Sequence, residues 1–350
     1  MFDLSDIKGI NASERILTQL CRRSFLSLWA YSNLHTDEGF TGARKDAKEF
    51  TDVLLVFGDN VVIFSDKHVS FQEDKPLELS WTRWHRRAIQ SSSKQLYGAL
   101  SWLKRFPDRI FLDPQCTRRL PVKIPSREKA VYHLVAVTRG SAGVSKRICG
   151  GIGTLSISSD IVDQPDENRP LTIGVMSREK PFVHILDEIA LEVVLAEFDT
   201  ASDFILYLSA REKFLTQTTL TIQAAGEEQL VAAYLLNMKD DRHWFTPALS
   251  ANDQPTLLVF ADDHYTELLE RPEYQRKKAE DKPSYAWDKI VENFIHLGDP
   301  GLLKIPIEHS DSDLEKGLRF LAAESRFRRR VLTSALRGAF EAATKRSDLR

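Results

Sequence analysis

At 350 residues, 42% hydrophobic and 28% charged, the chain has the composition of a soluble globular protein long enough for two or three domains. Its formal net charge of -2 excludes a uniformly basic nucleic-acid coat, so any grip on phosphate must come from local patches. The three cysteines, Cys21, Cys116 and Cys149, are odd in number, far apart and without a CxxC pair. That argues against structural zinc and fits a reducing cytoplasm. The N-terminus, MFDLSDIKGI, lacks the basic-then-apolar pattern of a signal peptide, and no apolar run approaches the roughly 18 residues of a membrane span. A soluble, cytoplasmic protein is expected.

In chain order, Ser13 can cap a helix from Glu14 to about Ala30, with Ile16, Leu17, Leu20, Phe25, Leu28 and Trp29 at near-helical spacing. Tyr31 to Lys48 is polar, holds two glycines and is expected to be a loop or flap. Two apolar strands follow, Val53–Phe57 and Val61–Phe64, joined by the tight turn Gly58-Asp59-Asn60. A helix is expected from about Thr82 to Arg105 and a strand over Ala130–Val137. Beyond it, Leu171–Val175 and Phe182–Leu186 form short strands, and two helices fill the stretch to Leu215. Thr200 and Asp203 have capping-box spacing at the start of the second. Another helix runs from Gly226-Glu227-Glu228 toward Leu236, Leu257–Phe260 is a strand, and a helix begins near Tyr285. Asp313 to about Thr344 is a long charged helix or helix pair.

The densest chemistry lies in residues 47–67, AKEFTDVLLVFGDNVVIFSDK. Glu49 and Asp52 lead into the first strand of the hairpin, and the second runs into Ser65-Asp66-Lys67. Carboxylates at strand ends can hold a divalent cation, and a lysine beside them can stabilise the charge that develops on a phosphorane or orient an attacking water.

The acid, strand, hairpin, strand, acid-lysine order resembles the PD-(D/E)XK, or restriction-endonuclease-like, superfamily, over roughly residues 10–140. The resemblance implies a core of helix, hairpin, helix and strand, with Asp52, Asp66, Lys67 and Glu49 as catalytic candidates. It also implies Mg2+ or Mn2+ as cofactor, held by Asp52 and Asp66, and DNA as partner. The chain departs from the pattern at Ser65, where the family has its second acid. Positions two apart on a strand share a face, so a regular strand turns Asp66 away from Lys67. Three readings follow: a bulge brings Asp66 round, Glu49 supplies the missing carboxylate, or metal binding is lost and the fold remains as a scaffold. Glu14 falls where related nucleases place an acid, although the helix dipole alone accounts for it.

On the following helix Arg83, Arg86, Arg87 and Lys94 make a basic stripe with Trp84 and His85 interleaved. In the family this helix flanks the scissile phosphate, and Lys94 and Gln95 match its assisting position. A solvated helix face is the plainer reading of such charges. GGIGT at 150–154 lacks the GKS/T of a phosphate loop and is expected to be a turn. His133 and His184 sit in apolar strands and are expected to be satisfied core groups. SRFRRR at 325–330 could touch phosphate or a partner, but a solvated helix face is the plainer expectation.

The expected architecture is α/β: a restriction-endonuclease-like domain over 1–140, a mixed α/β domain over 141–260 and a helical region over 261–350. The function expected is a divalent-metal-dependent nuclease of the kind that serves bacterial defence or repair. The alternative is a catalytically inactive nuclease-like fold that binds nucleic acid or a protein partner.

Overall fold

The computed structural model describes residues 12–41, 44–45, 47–239, 242–245, 256–298 and 311–347, and the fold is α/β. The first helix, α1 (Ala12–Phe25), stops five residues before the expected end at Ala30. Leu26 adopts a left-handed φ of 65°, a conformation that no helix continues through. Leu28 and Trp29, which fit the helical pattern, are instead buried in the turn that follows.

The expected loop over Tyr31–Lys48 is in part an element. It begins with a strand, β1 (Ala30–Thr36), that is almost wholly buried. Half of that burial falls on Ser32, Asn33 and Thr36, so the strand carries no apolar alternation in its sequence. It pairs antiparallel with β2 (Lys48–Phe57), which turns at Gly58 into β3 (Asn60–His68). The helix expected from Thr82 begins earlier, as α2 (Leu77–His85), and passes through a single π-helical turn at Arg86–Gln90 into α3 (Ser91–Arg105). Next comes β4 (Val131–Arg139), parallel to β3. Helix, hairpin, helix and strand thus occur in the expected order, with β1 as an extra edge strand.

A short helix, α4 (Ala142–Cys149), precedes the strands β5 (Ser156–Val162), β6 (Thr172–Val175), β7 (Val183–Asp187), β8 (Leu220–Ala224) and β9 (Thr256–Phe260). The first sheet has the order β1-β2-β3-β4-β7 and the second β9-β8-β5-β6. Gly150, Gly151 and Gly153 all take positive φ values, so GGIGT is a turn. The two helices expected before Leu215 are α5 (Glu188–Glu197) and α6 (Ala201–Leu215), and α7 (Glu227–Leu236) follows. Thr200 caps α6 as its spacing predicts, accepting the Asp203 N–H at 3.0 Å.

One face of the first sheet packs on α1 and α6. Phe204 stacks on Phe64 at 6.0 Å between ring centroids and meets Phe25 at 5.0 Å. The other face carries α3, where Ser65 reaches Ser92 and Gln95. Because β7 comes from residues 183–187, the expected boundary at 140/141 does not isolate the first sheet. The main apolar core runs from Leu17 to Ala322, with a small second cluster of Ala232, Leu268 and Tyr274.

The C-terminal region is helical: α8 (His264–Glu270), α9 (Pro272–Asp281), α10 (Tyr285–Gly298), α11 (Asp311–Ala322) and α12 (Arg326–Ser347). SRFRRR is a solvated face only at Phe327 and Arg328. Arg326 and Arg329 are buried and clamp Asp199 and Asp288 at 2.6–2.9 Å. No helix among the described residues is long and apolar enough to cross a membrane.

Candidate active site

The site is assembled where β2 parts from β3. Their ladder runs from Phe57↔Asn60 to Val53↔Phe64. Past that pair, side chains of β2 take over the cross-strand bonds. The Thr51 hydroxyl donates to the Phe64 carbonyl at 2.5 Å, and the Asp66 N–H donates to the Asp52 carboxylate at 2.7 Å. On its other edge β2 is bulged. Leu34 pairs with Thr51 but His35 with Glu49, which leaves Phe50 as the extra residue. A bulge re-aims the side chains around it, and here those are Glu49, Thr51 and Asp52.

The result is a cluster of three carboxylates. Glu14 from the first turn of α1, Glu49 and Asp52 offer oxygens that all lie within 4.8 Å of one another. Glu14 and Asp52 are buried, and Glu49 is open to solvent. Burial pushes the Asp52 carboxyl up to about 7; the Asp66 N–H opposes this, and the charges of Glu49, Asp66 and Glu14 reinforce it. Glu49 is also raised, by burial and by Glu14, while the Lys67 ammonium pulls it back. Three oxygen donors, crowded and partly reached by solvent, are of the kind that could hold a hard divalent cation.

Lys67 and Asp66 part company. The β3–β4 register is unbroken from Asn60↔Val131 to His68↔Arg139, so the bulge that would turn Asp66 toward Lys67 is absent. Ser65 and Lys67 share the α3 face. Asp66 lies on the opposite one, where Arg139 donates three hydrogen bonds to its carboxylate at 2.9–3.1 Å. Burial pushes that carboxyl up and the guanidinium pulls it down. The approach depends on Gly140, at φ 99°, whose added Cβ would stand 2.3 Å from the Val69 carbonyl oxygen. No side chain fits there, and the contact holds the end of β4 against the end of β3.

Beside the cluster an open groove of about 600 Å³ is lined by Asp66, Lys67, His68, Val69, Arg86, Arg87 and Ser91. Both arginines stand on the π turn and are exposed. Of the remaining stripe, Arg83 is half-buried and Lys94 exposed, but neither lines the groove. Gln95 is turned inward to Ser65 at 3.3 Å. Trp84 and His85 are buried, and the Trp84 indole N–H donates to the Val69 carbonyl at 2.7 Å. They are core groups and present no face to a base.

Asp52 and Glu49 are therefore brought together, Lys67 stands at the neighbouring groove, and Asp66 is held apart by Arg139. Glu14 joins the cluster although the helix dipole accounts for an acid at its position. Arg139 carries no motif; its only signal is a basic residue closing an apolar strand before a glycine. Comparisons of the chain with protein-family models, with curated proteins and with solved structures find no match.

Proposed function

We propose that the protein is a divalent-metal-dependent nuclease that hydrolyses DNA phosphodiester bonds. The observation that carries this is the convergence of Glu14, Glu49 and Asp52 within 4.8 Å, tied through the Asp52–Asp66 bond to a groove that Asp66, Lys67, Arg86 and Arg87 line. The order of α1, the β2–β3 hairpin, helix and parallel strand is the frame the PD-(D/E)XK resemblance implies, with β1 added at the edge. Glu49 and Glu14 stand in for the acid missing at Ser65. Mg2+ or Mn2+ held by these carboxylates would supply Lewis-acid polarisation of the phosphoryl oxygen and a nucleophile at neutral pH. Arg86 and Arg87 bind backbone phosphates and set the strand in the groove. The Lys67 ammonium stabilises the negative charge that grows on the phosphoryl oxygens. The Asp66 N–H fixes the Asp52 carboxylate, so its position does not have to be found anew when substrate arrives.

The Arg139 clamp favours a second reading. It neutralises the one acid adjacent to the motif lysine, as expected of a nuclease-like scaffold that only binds nucleic acid or a protein. Plasmid cleavage with Mn2+ separates the two. The nuclease reading expects nicking by the parent, none by Asp52→Asn, and loss of cleavage with retained DNA binding for Lys67→Ala. A parent that binds DNA without cutting it at any Mn2+ concentration, or a Lys67→Ala variant that cuts like the parent, overturns the nuclease and leaves the scaffold.

A further inference from the structure

A second set of ligating side chains lies away from the carboxylate cluster. His133 on β4, His184 on β7 and Glu212 on α6 bring one ligand atom each within 4.8 Å of one another. The register explains why. Val62 stands beside His133 on β3–β4, and Val135 stands beside His184 on β4–β7. Both histidines therefore project from the same face of the sheet, the one that also bears Phe64. Helix α6 crosses that face. Phe204 fixes it over Phe64, and Glu212, two turns further on, comes down beside the two imidazoles. Along β3, Val62 and Asp66 are four residues apart, or about 13 Å, so this cluster is not part of the acidic site.

The two histidines are not satisfied core groups. His184 is fully buried, yet neither of its ring nitrogens has a hydrogen-bond partner among the described residues, and nor does Nδ1 of His133. Buried polar groups are nearly always paired, so an orphaned nitrogen on each ring, in a group whose ligand atoms lie within 4.8 Å of one another, asks for a ligand. The surroundings already hold the rings. His133 Nε2 stands 3.4 Å from Asn60 Oδ1, which leaves Nδ1 as the free lone pair. The Phe182 ring meets His184 edge-on at 4.9 Å. Rings fixed through their other nitrogen or through packing are the usual setting of metal-ligating histidines. The neighbouring Arg211 is spent on Glu227, which it grips in a buried pair at 2.7–3.0 Å.

From this geometry we infer that His133, His184 and Glu212 form a second metal site, for a zinc-class divalent ion, that ties α6 to strands β4 and β7. Two imidazoles and a carboxylate suit Zn2+ and disfavour Mg2+, which takes oxygen donors. Ligands of one tetrahedral zinc stand about 3.3 Å apart. The half-buried Glu212, free to change rotamer, closes the remaining distance and leaves a fourth position on the solvent side. The chain would then sort two ions by donor chemistry, a hard one at the carboxylates and a borderline one between sheet and helix.

The test uses full-length protein stripped with a chelator and titrated with Zn2+ by calorimetry, with Co2+ as a visible-absorption probe. Working in Asp52→Asn removes uptake at the acidic cluster and makes the result independent of the nuclease reading. One equivalent of Zn2+ is expected, with a rise in melting temperature at saturation and d–d bands on addition of Co2+. Glu212→Gln should bind about tenfold more weakly or worse. His184→Leu should not bind, and its metal-free form should melt at or above the parent because it buries no orphaned nitrogen. If His184→Leu does not fold, Glu212→Gln alone decides. The inference is overturned if Asp52→Asn takes up no Zn2+, or if Glu212→Gln binds as tightly as its parent.

Discussion

Asp52 shows how a site can be built against stability. Its carboxylate is buried beside two others and held by one N–H, and its pKa rises to about 7. The native state therefore binds this proton more tightly than the unfolded chain does. The favourable contribution is complete below about pH 4 and is lost as pH rises through 7. Asp52→Asn removes the charge and keeps an oxygen for the Asp66 N–H. Its unfolding free energy should match the parent's at pH 3.5 and exceed it at pH 8 by about 2–4 kcal/mol. Calorimetry at the two pH values checks this, and a variant equally stable or less stable at pH 8 would show that the three charges do not repel. Cation binding at the cluster competes with the same proton, so Mn2+ affinity should rise between pH 6 and pH 8. Asp52 and Glu49 were legible because the sequence itself sets acids at the mouth of an apolar strand. Glu14 and Arg139 were not, because their roles depend on which helix and which strand lie alongside. Asp66 misled through its neighbour: adjacency to Lys67 in sequence means separation across the sheet.

Most of the element order could be read from apolar periodicity, and what was missed was polar or irregular. Strand β1 buries Ser32, Asn33 and Thr36 beside its apolar residues, which hides the alternation. Helices α2 and α3 carry the apolar spacing of one helix, but no residue pattern announces the π turn between them. That turn bears on the proposed function. It inserts an extra residue per hydrogen-bonded loop, and the groove arginines stand on it. The four cations of the stripe therefore separate into two classes. Arg86→Glu and Arg87→Glu should each weaken DNA binding and flatten the dependence of log K on log salt by roughly one unit. Lys94→Glu, on the same helix surface but outside the groove, should change the slope by much less. Fluorescence anisotropy across a salt series distinguishes them. Equal effects from all three would mean a diffuse basic face and would remove the groove as the binding site.

At the scale of the whole molecule, the main apolar core draws residues from all three expected regions. The last helices reach back to the first turn of the fold. The Trp29 indole N–H donates to Glu315 at 2.9 Å, and Ser27 bonds to Glu292. The clamp behind them is Arg326, which pairs with Asp199 and Asp288 and donates to Ser284. Composition gave no hint of this, since a run of arginines in a charged helix has the same appearance whether it faces water or buried aspartates. Arg326→Met keeps much of the apolar volume but strips Asp199 of its guanidinium. Removing one partner of a buried pair leaves an uncompensated charge, so the cost should be about 3–5 kcal/mol. The manner of unfolding is the more telling result. Trp29 sits in the seam between the first sheet and α11, whereas Trp81 and Trp84 lie buried on α2. If the core is shared, tryptophan fluorescence and far-ultraviolet circular dichroism should give one coincident urea transition for the parent, shifted to lower urea with the same slope in Arg326→Met. A variant in which the C-terminal helices melt first while the rest stays folded would instead restore the boundary near residue 261. It would also make α8–α12 a separable unit docked on the N-terminal sheet.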